Sequence, residues 1–327
     1  MRIMRKQPLL WIAGLALGAM LSPNFATAQS YPAQAVRIVV GFPPGGTNDV
    51  LARLMAQRLS DELGQPFIIE NRPGAANNIG TEAVARAKPD GYTLLMANAP
   101  NAINHSLYEK LSFNFLTDIA PVAGIMRVPN VIVVNPSFEV KTLAELIAYT
   151  KANPGKVNMA TPGIGSSTHV SMELLKMMSG VDLVHVPYRG STPMITDLLG
   201  GQVVLGFDNL SGSIAHIRSG RLRALPVTTD KRSAVLPDVP TVAETVPGFE
   251  ASAWFGLAAP RGTPSKVIDR LNKEVNAALA DPKLQSQLVE MGGTLIPGTP
   301  ADLGRLFADE VEKWRKVINF LVPERSN

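Results

Sequence analysis

Two loops of similar design carry the residues of this chain best suited to bind an anion. Residues 41–49 read GFPPGGTND and residues 161–169 read TPGIGSSTH, and each loop lies between a short apolar run and a helical pattern. The glycines permit positive φ angles, and the hydroxyl and amide side chains can cap the helix that follows. Several backbone N–H groups at each helix start can then face one anion. Taken alone, the first loop is explained equally well as an ordinary strand-to-helix turn.

The segments around these loops alternate between short apolar runs and helical patterns, which predicts an α/β protein with a parallel sheet. In such a sheet ligands bind outside the carboxyl ends of the strands, where both loops would lie. Strands are predicted at residues 36–40, 67–70, 93–97, 131–134, 157–160, 183–186, 203–207 and 222–227. A proline-rich connector at 236–248 leads to an apolar stretch at 253–259 and to amphipathic helices at about 264–280, 282–291 and 300–320.

Two α/β units of similar make are implied, and the chain would cross between them near residues 127–129 and 247–249. This predicts a first lobe at 29–126 and 250–327, a second lobe at 127–249, and a cleft above a hinge of two strands. Each lobe would present one amide-rich helix start to the cleft.

Residues 1–28 have the pattern of a secretory signal. A basic start precedes an apolar run at residues 9–21 and an ATA cleavage site that ends at Ala28. The apolar run is shorter than the roughly 20 residues that span a bilayer. The chain has no cysteine, so its fold cannot depend on disulfides. These observations predict a soluble protein exported to the periplasm, with cleavage after Ala28.

The charge balance argues against a nucleic-acid partner. The chain has 31 basic and 27 acidic residues, but three basic residues and no acidic ones lie in the signal segment. The exported form would therefore carry 28 against 27, a net charge of +1, and no basic run with interleaved aromatics is present.

The motifs of enzymes and metal sites are missing. Residues 163–168 read GIGSST, which lacks the third glycine of a dinucleotide-binding loop, and neither a GxSxG nor an SxxK pattern occurs. The four histidines, at positions 105, 169, 185 and 216, do not have metal-ligand spacing. We therefore expect no enzyme activity, no cofactor and no metal. Asp208 follows a strand directly and is predicted either to accept from a ligand hydroxyl or amine or to cap the next helix.

The two loops, together with NRPG at 71–74, PDGY at 89–92, VPYRG at 186–190, FDNL at 207–210 and PDVPT at 237–241, resemble the Bug family of solute receptors. These are the extracytoplasmic binding proteins of tripartite tricarboxylate transporters. The resemblance runs from about residue 31 to 320. It implies a type II periplasmic-binding-protein fold, capture of a small carboxylate, and delivery to a membrane permease of one large and one small subunit. We expect a monomer.

In the family, loop amides, hydroxyls and bridging waters between the two loops hold the ligand carboxylate without an obligatory arginine. Carried over to this chain, the ligand-binding residues are Gly45, Gly46, Thr47, Asn48 and Asp49 in the first loop and Gly165, Ser166, Ser167, Thr168 and His169 in the second, with Asp208 as a further candidate. The sequence departs from the family at residues 75–78, AANN, where similar proteins carry more glycine. Ala76, Asn77 and Asn78 are therefore candidates for ligand specificity.

Two other functions stay open from the sequence. One is a carboxylate sensor that docks on a signalling kinase, and the other is an exported hydrolase, which would need a base beside a nucleophile. The sequence does not identify the acid.

Overall fold

The computed structural model describes residues 31–321, so the predicted signal segment at 1–28 lies outside the described residues. Ten strands are present in this range: β1 (Val36–Val40), β2 (Phe67–Asn71), β3 (Thr93–Asn98), β4 (Ile119–Val134), β5 (Asn158–Thr161), β6 (Val184–Pro187), β7 (Leu205–Asn209), β8 (Arg223–Val227), β9 (Ser252–Pro260) and β10 (Thr294–Leu295).

Eleven α-helices and two 3₁₀ turns connect these strands within the described range. The helices are α1 (Thr47–Leu63), α2 (Asn78–Ala85), α3 (Ala99–Leu107), α4 (Phe115–Asp118), α5 (Leu143–Ala152), α6 (Ser167–Ser179), α7 (Ser191–Leu199), α8 (Leu210–Arg218), α9 (Ser265–Ala280), α10 (Pro282–Glu290) and α11 (Pro300–Leu321). The 3₁₀ turns are Ala75–Asn77 and Val242–Glu244. The sequence analysis did not identify α3, α4 or α7, and two of these bear on the site.

The strands form one curled sheet in the order β2-β1-β3-β9-β4-β7-β5-β6, with β8 and β10 also paired to β4. The pairs β1–β2, β1–β3, β5–β6 and β5–β7 are parallel, as predicted. However, β9 is antiparallel to both β3 and β4, and β4 is antiparallel to β7 and β8. The sheet is therefore mixed, because β4 and β9 carry the chain through its centre in opposite directions.

Strand β4 belongs to both halves of the sheet. Its first part, up to Pro129, pairs with β9, and its last part, from Asn130, pairs with β7 and β8. The sequence analysis predicted only 131–134 as a strand, since Pro121, Gly124 and Pro129 resemble breaks. The structure accommodates the first two with register shifts between residues 121 and 123 and between 124 and 126.

Alternate residues of the strands fill two hydrophobic cores, one on each face of the sheet. Ile38 and Leu94 pack with α1 and α9, whereas Val39 and Leu95 pack with α3 and α11. Because successive residues face opposite cores, residues 38–40 of β1 and 94–97 of β3 are apolar at every position. Helix α1 ends at Leu63, and the left-handed φ of 68° at the following Gly64 lets the glycine N–H donate to the Ser60 carbonyl.

Between residues 31 and 321, no helix is both long and apolar enough to span a membrane. The same range contains no group of three or more His, Cys, Asp and Glu side chains placed to hold a metal ion.

Candidate functional site

A cleft with about 620 Å³ of empty space, part of it open to solvent, lies where several helices begin. Both predicted loops contribute to it, through the starts of α1 and α6. The starts of α3 and α7 and the residue before α8 line it as well. The lining residues are Phe42, Pro43, Pro44, Gly46, Thr47, Asn48, Asn98, Ala99, Pro100, Pro162, Ser166, Ser167, Thr168, Arg189, Gly190, Ser191, Thr192, Pro193, Asn209, Ala253 and Phe255.

The first loop opens helix α1 toward the cleft without a side-chain cap. Gly46 occupies the N-cap position, and the N–H groups of Thr47 and Asn48 have no acceptor within the described residues. The hydroxyl of Thr47 lies 2.6 Å from that of Ser211, the second residue of α8. This contact joins the first loop to the start of α8.

Asp49 and Gly45 support the first loop and do not line the cleft. The Asp49 carboxylate accepts hydrogen bonds from Gly45 N at 3.0 Å, from Asn71 Nδ2 at 2.9 Å and from two nitrogens of Arg53 at 2.9 and 3.0 Å. Burial by itself would raise the pKa of Asp49, but these donors lower it below its ordinary value. The carboxylate is therefore ionised and already paired.

The second loop is capped by Ser166, whose hydroxyl accepts from the His169 amide at 3.2 Å and donates to the Gly163 carbonyl at 2.7 Å. The amides of Ser167 and Thr168 have no acceptor in the described part of the chain. This loop thus gives the cleft a second set of amides and hydroxyls.

Two asparagine side chains, Asn130 and Asn209, hold the hydroxyl of Ser167 in place. This hydroxyl accepts from Asn209 Nδ2 at 3.3 Å and lies 3.4 Å from Asn130 Oδ1, and the two asparagines are joined at 2.6 Å. Asn130 is the residue of β4 at which the pairing passes from β9 to β7. The second loop is therefore tied directly to the strand that both halves of the sheet share.

His169 and Gly165 also lie behind the cleft wall. The Gly165 amide donates to His169 Nδ1 at 3.2 Å, and the ring stacks on His185 with 4.3 Å between centroids. Burial, with His185 and Lys176 nearby, lowers the pKa of His169 to about 3. Burial and Lys176 lower the pKa of His185 to about 4. Both rings are neutral near pH 7, and His169 holds the loop through its acceptor nitrogen.

This histidine pair predicts a loss of stability in mild acid. An unfolded histidine has a pKa near 6.5, so between pH 6.5 and about 4 the unfolded chain binds protons at both positions that the folded chain does not. The free energy of unfolding should fall as the pH drops through this window, by about 1.4 kcal/mol per pH unit for each imidazole. Urea denaturation between pH 7 and 4.5 measures the slope, and His169→Gln should reduce it. An unchanged slope in that variant would show that the pair does not control acid stability.

Asp208 holds the starts of two helices and does not line the cleft. It is fully buried, and its two oxygens accept from Ser191 Oγ and Ser213 Oγ, each at 2.8 Å. Burial raises the pKa of Asp208, although these hydroxyls and the Asn209 amide act to lower it. Ser191 opens α7 and lines the cleft, so Asp208 positions the wall from behind.

Ala76, Asn77 and Asn78 belong to a buried asparagine network beside the cleft. Residues 75, 76 and 77 all have positive φ, which is uncommon for three consecutive residues other than glycine. Asn77 Nδ2 donates to Asn98 Oδ1 at 2.9 Å, and Asn104 Nδ2 donates to the Ala76 carbonyl at 2.6 Å and to Asn78 Oδ1 at 2.9 Å. Of these residues, Asn98 lines the cleft. Any influence of residues 76–78 on the ligand would therefore act through Asn98 or through the shape of the wall.

The sequence analysis missed the contribution of α7. Gly190 precedes this helix with a φ of 112° and no side-chain cap, and the amides of Ser191 and Thr192 have no acceptor within residues 31–321. Arg189 is exposed, lines the cleft and has no hydrogen bond or ion pair within the same range. The Gly-Ser-Thr sequence at residues 190–192 could have indicated this helix start, because it follows a short strand, as the glycine and hydroxyl residues of both predicted loops do.

The cleft is suited to hold an anion and has no evident means to carry out a reaction. Its wall combines three uncapped or hydroxyl-rich helix starts with one cation, Arg189, and none of the lining residues is acidic. Helix starts of this kind bind carboxylates and phosphates through their amides. Asp49, His169 and Asp208, which could act as acids or bases, are all paired within the protein.

Comparison with known proteins identifies the family of this chain. The model of the tripartite tricarboxylate transporter receptor family, TctC, matches residues 51–322. Protein BugT of Bordetella pertussis is 41% identical over 295 residues, which cover 89% of this chain and 90% of that protein.

Two solved structures of Rhodopseudomonas palustris proteins share the fold. One, determined with adipate, has 41% identity and a TM-score of 0.85, and the match covers 88% of this chain and 97% of the other. The second, MatC with bound malate, has 33% identity and a TM-score of 0.84 over 88% and 100% of the two chains.

These matches confirm the fold predicted from the sequence, a two-lobed periplasmic-binding-protein fold, and the predicted resemblance to the Bug receptors. The family consists of solute-binding receptors and not of enzymes. This chain therefore belongs to the tripartite tricarboxylate transporter receptor family and is a solute-binding protein.

Proposed function

We propose that the protein is a periplasmic receptor that captures a small carboxylate between two closing lobes and delivers it to a membrane permease of one large and one small subunit. The observation that carries the proposal is the convergence of the α1, α6 and α7 starts on a cleft lined by one cation and no acidic residue. The carboxylate would accept hydrogen bonds from the free amides of these helix starts and from the hydroxyls of Thr47 and Ser167.

The strength of such contacts is sufficient for a receptor. A hydrogen bond to a charged group contributes about 1.5–3 kcal/mol, and micromolar affinity requires about 8 kcal/mol in total. Four to six donors suffice after the costs of ordering and closure. Relatives solved with adipate and with malate support the choice of a carboxylate.

The division into lobes is part of the proposal, with residues 29–126 and 250–327 in the first lobe and 127–249 in the second. The change of partners along β4 at Asn130 supports it. With this division, the Thr47–Ser211 contact bridges the lobes, and so does the close approach of Gly165 to Ala76. The arrangement is that of a closed receptor.

Removal of a cleft hydroxyl tests the site. Thr47→Ala and Ser167→Ala should each weaken binding of the best acid about tenfold or more, while melting without ligand changes little. A thermal-shift screen of small acids identifies that acid, and titration calorimetry measures its affinity. Gln57→Ala, on the outer face of α1, is the control. Unaltered affinity in both cleft variants would remove these loops from the site.

Export and delivery need separate experiments. Amino-terminal sequencing of the secreted protein should give Gln29 as the first residue, and a retained leader would contradict cleavage after Ala28.

Membrane vesicles that contain the permease should take up labelled acid only when the purified receptor is added. Retention of the liganded receptor by a sensor kinase, without uptake, would favour signalling instead.

A further inference from the structure

Asn48 is a buried side chain of the cleft whose polar atoms have no partner. It lies in the first turn of α1, lines the cleft and is only 5% exposed. Within the described residues neither Nδ2 nor Oδ1 makes a hydrogen bond. Other buried polar side chains of the cleft differ: Thr47, Asn98 and Ser167 all have hydrogen-bond partners in the protein.

A buried amide without partners is costly, so a ligand that pairs with it gains affinity. The amide carries one acceptor oxygen and one donor nitrogen whichever way it is turned. A carboxylate accepts from Nδ2 but cannot donate to Oδ1. A ligand that pairs directly with both atoms of Asn48 must therefore offer an acceptor and a donor side by side.

The charges around the cleft determine whether the ligand's donor is an ammonium group or a hydroxyl. An ammonium group would need a carboxylate nearby, but Asp49 is paired with Arg53 and Asn71, and Asp208 is paired with two serines behind the wall. Arg189 and the positive ends of the helix dipoles would repel a second cation. A neutral hydroxyl carries no such penalty.

Resting on the proposed function, we infer that the solute is an α-hydroxy carboxylate, whose carboxylate accepts from Asn48 Nδ2 and whose neighbouring hydroxyl donates to Asn48 Oδ1. The two groups are attached to adjacent carbons of the ligand, and the two amide atoms are attached to one carbon of Asn48. They can therefore pair in a single ring of hydrogen bonds. Asn48 then sets specificity for the hydroxyl, while the loop amides hold the charge.

Titration calorimetry with matched acids tests this inference. The pairs are malate with succinate, 2-hydroxyglutarate with glutarate, and 2-hydroxyadipate with adipate, so that only the hydroxyl differs within a pair. In the pair of best-fitting length, the hydroxy acid should bind roughly tenfold to a hundredfold more tightly, because its analogue leaves Oδ1 unpaired. The corresponding α-amino acid should bind more weakly than the hydroxy acid.

Variants of α1 assign the preference to Asn48. Asn48→Leu, which keeps a similar volume, should lose the preference, because the hydroxy acid loses two hydrogen bonds and the plain acid loses only the one from Nδ2. Gln57→Leu, exposed on the same helix, should keep it.

Equal affinities within every pair in the unaltered protein would overturn the inference and leave the proposed function standing, as would tighter binding of the amino acid. Failure of all the acids to bind would instead reject the proposed function. The comparison of acids in the unaltered protein stands even if Asn48→Leu does not fold.

Discussion

Replacement of Gly165 by alanine is expected to weaken ligand binding about a hundredfold without unfolding either lobe. A Cβ at this position would lie 2.8 Å from Ala76 Cβ and 2.9 Å from Asn104 Oδ1, both in the proposed first lobe. These distances are shorter than van der Waals contact, so the added methyl group should hold the lobes apart. If the closed form falls to about one per cent of the population, the apparent dissociation constant rises about a hundredfold.

The left-handed backbone at Gly165 requires a matched control. Its φ is 76°, and alanine at such a position is itself strained by about 1–2 kcal/mol. Gly180, which ends α6 with a φ of 67°, has the same strain but no atom within 4 Å of an added Cβ. Gly180→Ala should therefore lose stability and keep its affinity. Calorimetry measures both affinities, and equal values in the two variants would show that closure does not need this contact.

The substitution Gly41→Ala is expected to lower the free energy of unfolding by about 3 kcal/mol, at the upper end of the cost of overpacking. The new methyl group would overlap the side-chain amide of Asn77 and come within 2.8 Å of its Cα. Asn77 cannot easily move away, since its amide nitrogen is bonded to Asn98 and Asn101. Urea denaturation measures the loss.

A double-mutant cycle separates this clash from other effects. Asn77→Gly removes the obstructing amide and suits the φ of 80° at that position, so the double variant should recover at least about 1 kcal/mol relative to the sum of the single changes. Gly46→Ala, on the same loop but in open space with a φ of −81°, should cost little stability. Additive losses in the cycle would mean that Gly41 and Asn77 do not compete for this space.

The two predicted loops could be found from the sequence because their determinants are local. A strand, glycines and proline, a residue with a hydroxyl group and a helix follow one another within about ten residues, and the structure has this order at both loops. The start of α7 has a similar signal, with Gly190, Ser191 and Thr192 after β6, but it was not recognised. Helix α3 was hidden by Pro100 and by two asparagines, Asn101 and Asn104, that are poor helix formers.

The roles of individual residues in the loops depend on partners far away in the chain. From the sequence, Asp49 and Asp208 are candidates for the ligand site. In the structure, Arg53 and Asn71 donate hydrogen bonds to the Asp49 carboxylate, and Ser191 and Ser213 donate to that of Asp208. Nothing in the spacing of these residues predicts such pairs. The direction of β9 was also beyond local reasoning, because a fully buried strand is apolar at every position whether its neighbours are parallel or antiparallel.

The sixteen-residue strand β4 restricts how the protein can move. Its two halves are hydrogen-bonded to different neighbours, and no loop interrupts it between Ile119 and Val134. If the lobes open and close as proposed, a hydrogen-bonded ribbon at the joint should resist sliding and independent rotation, so we expect opening by bending and twisting of this strand. The loops would then return to the same register at each closure. The hydroxyls of Thr47 and Ser211, which are distant in sequence, would meet each time at hydrogen-bonding distance.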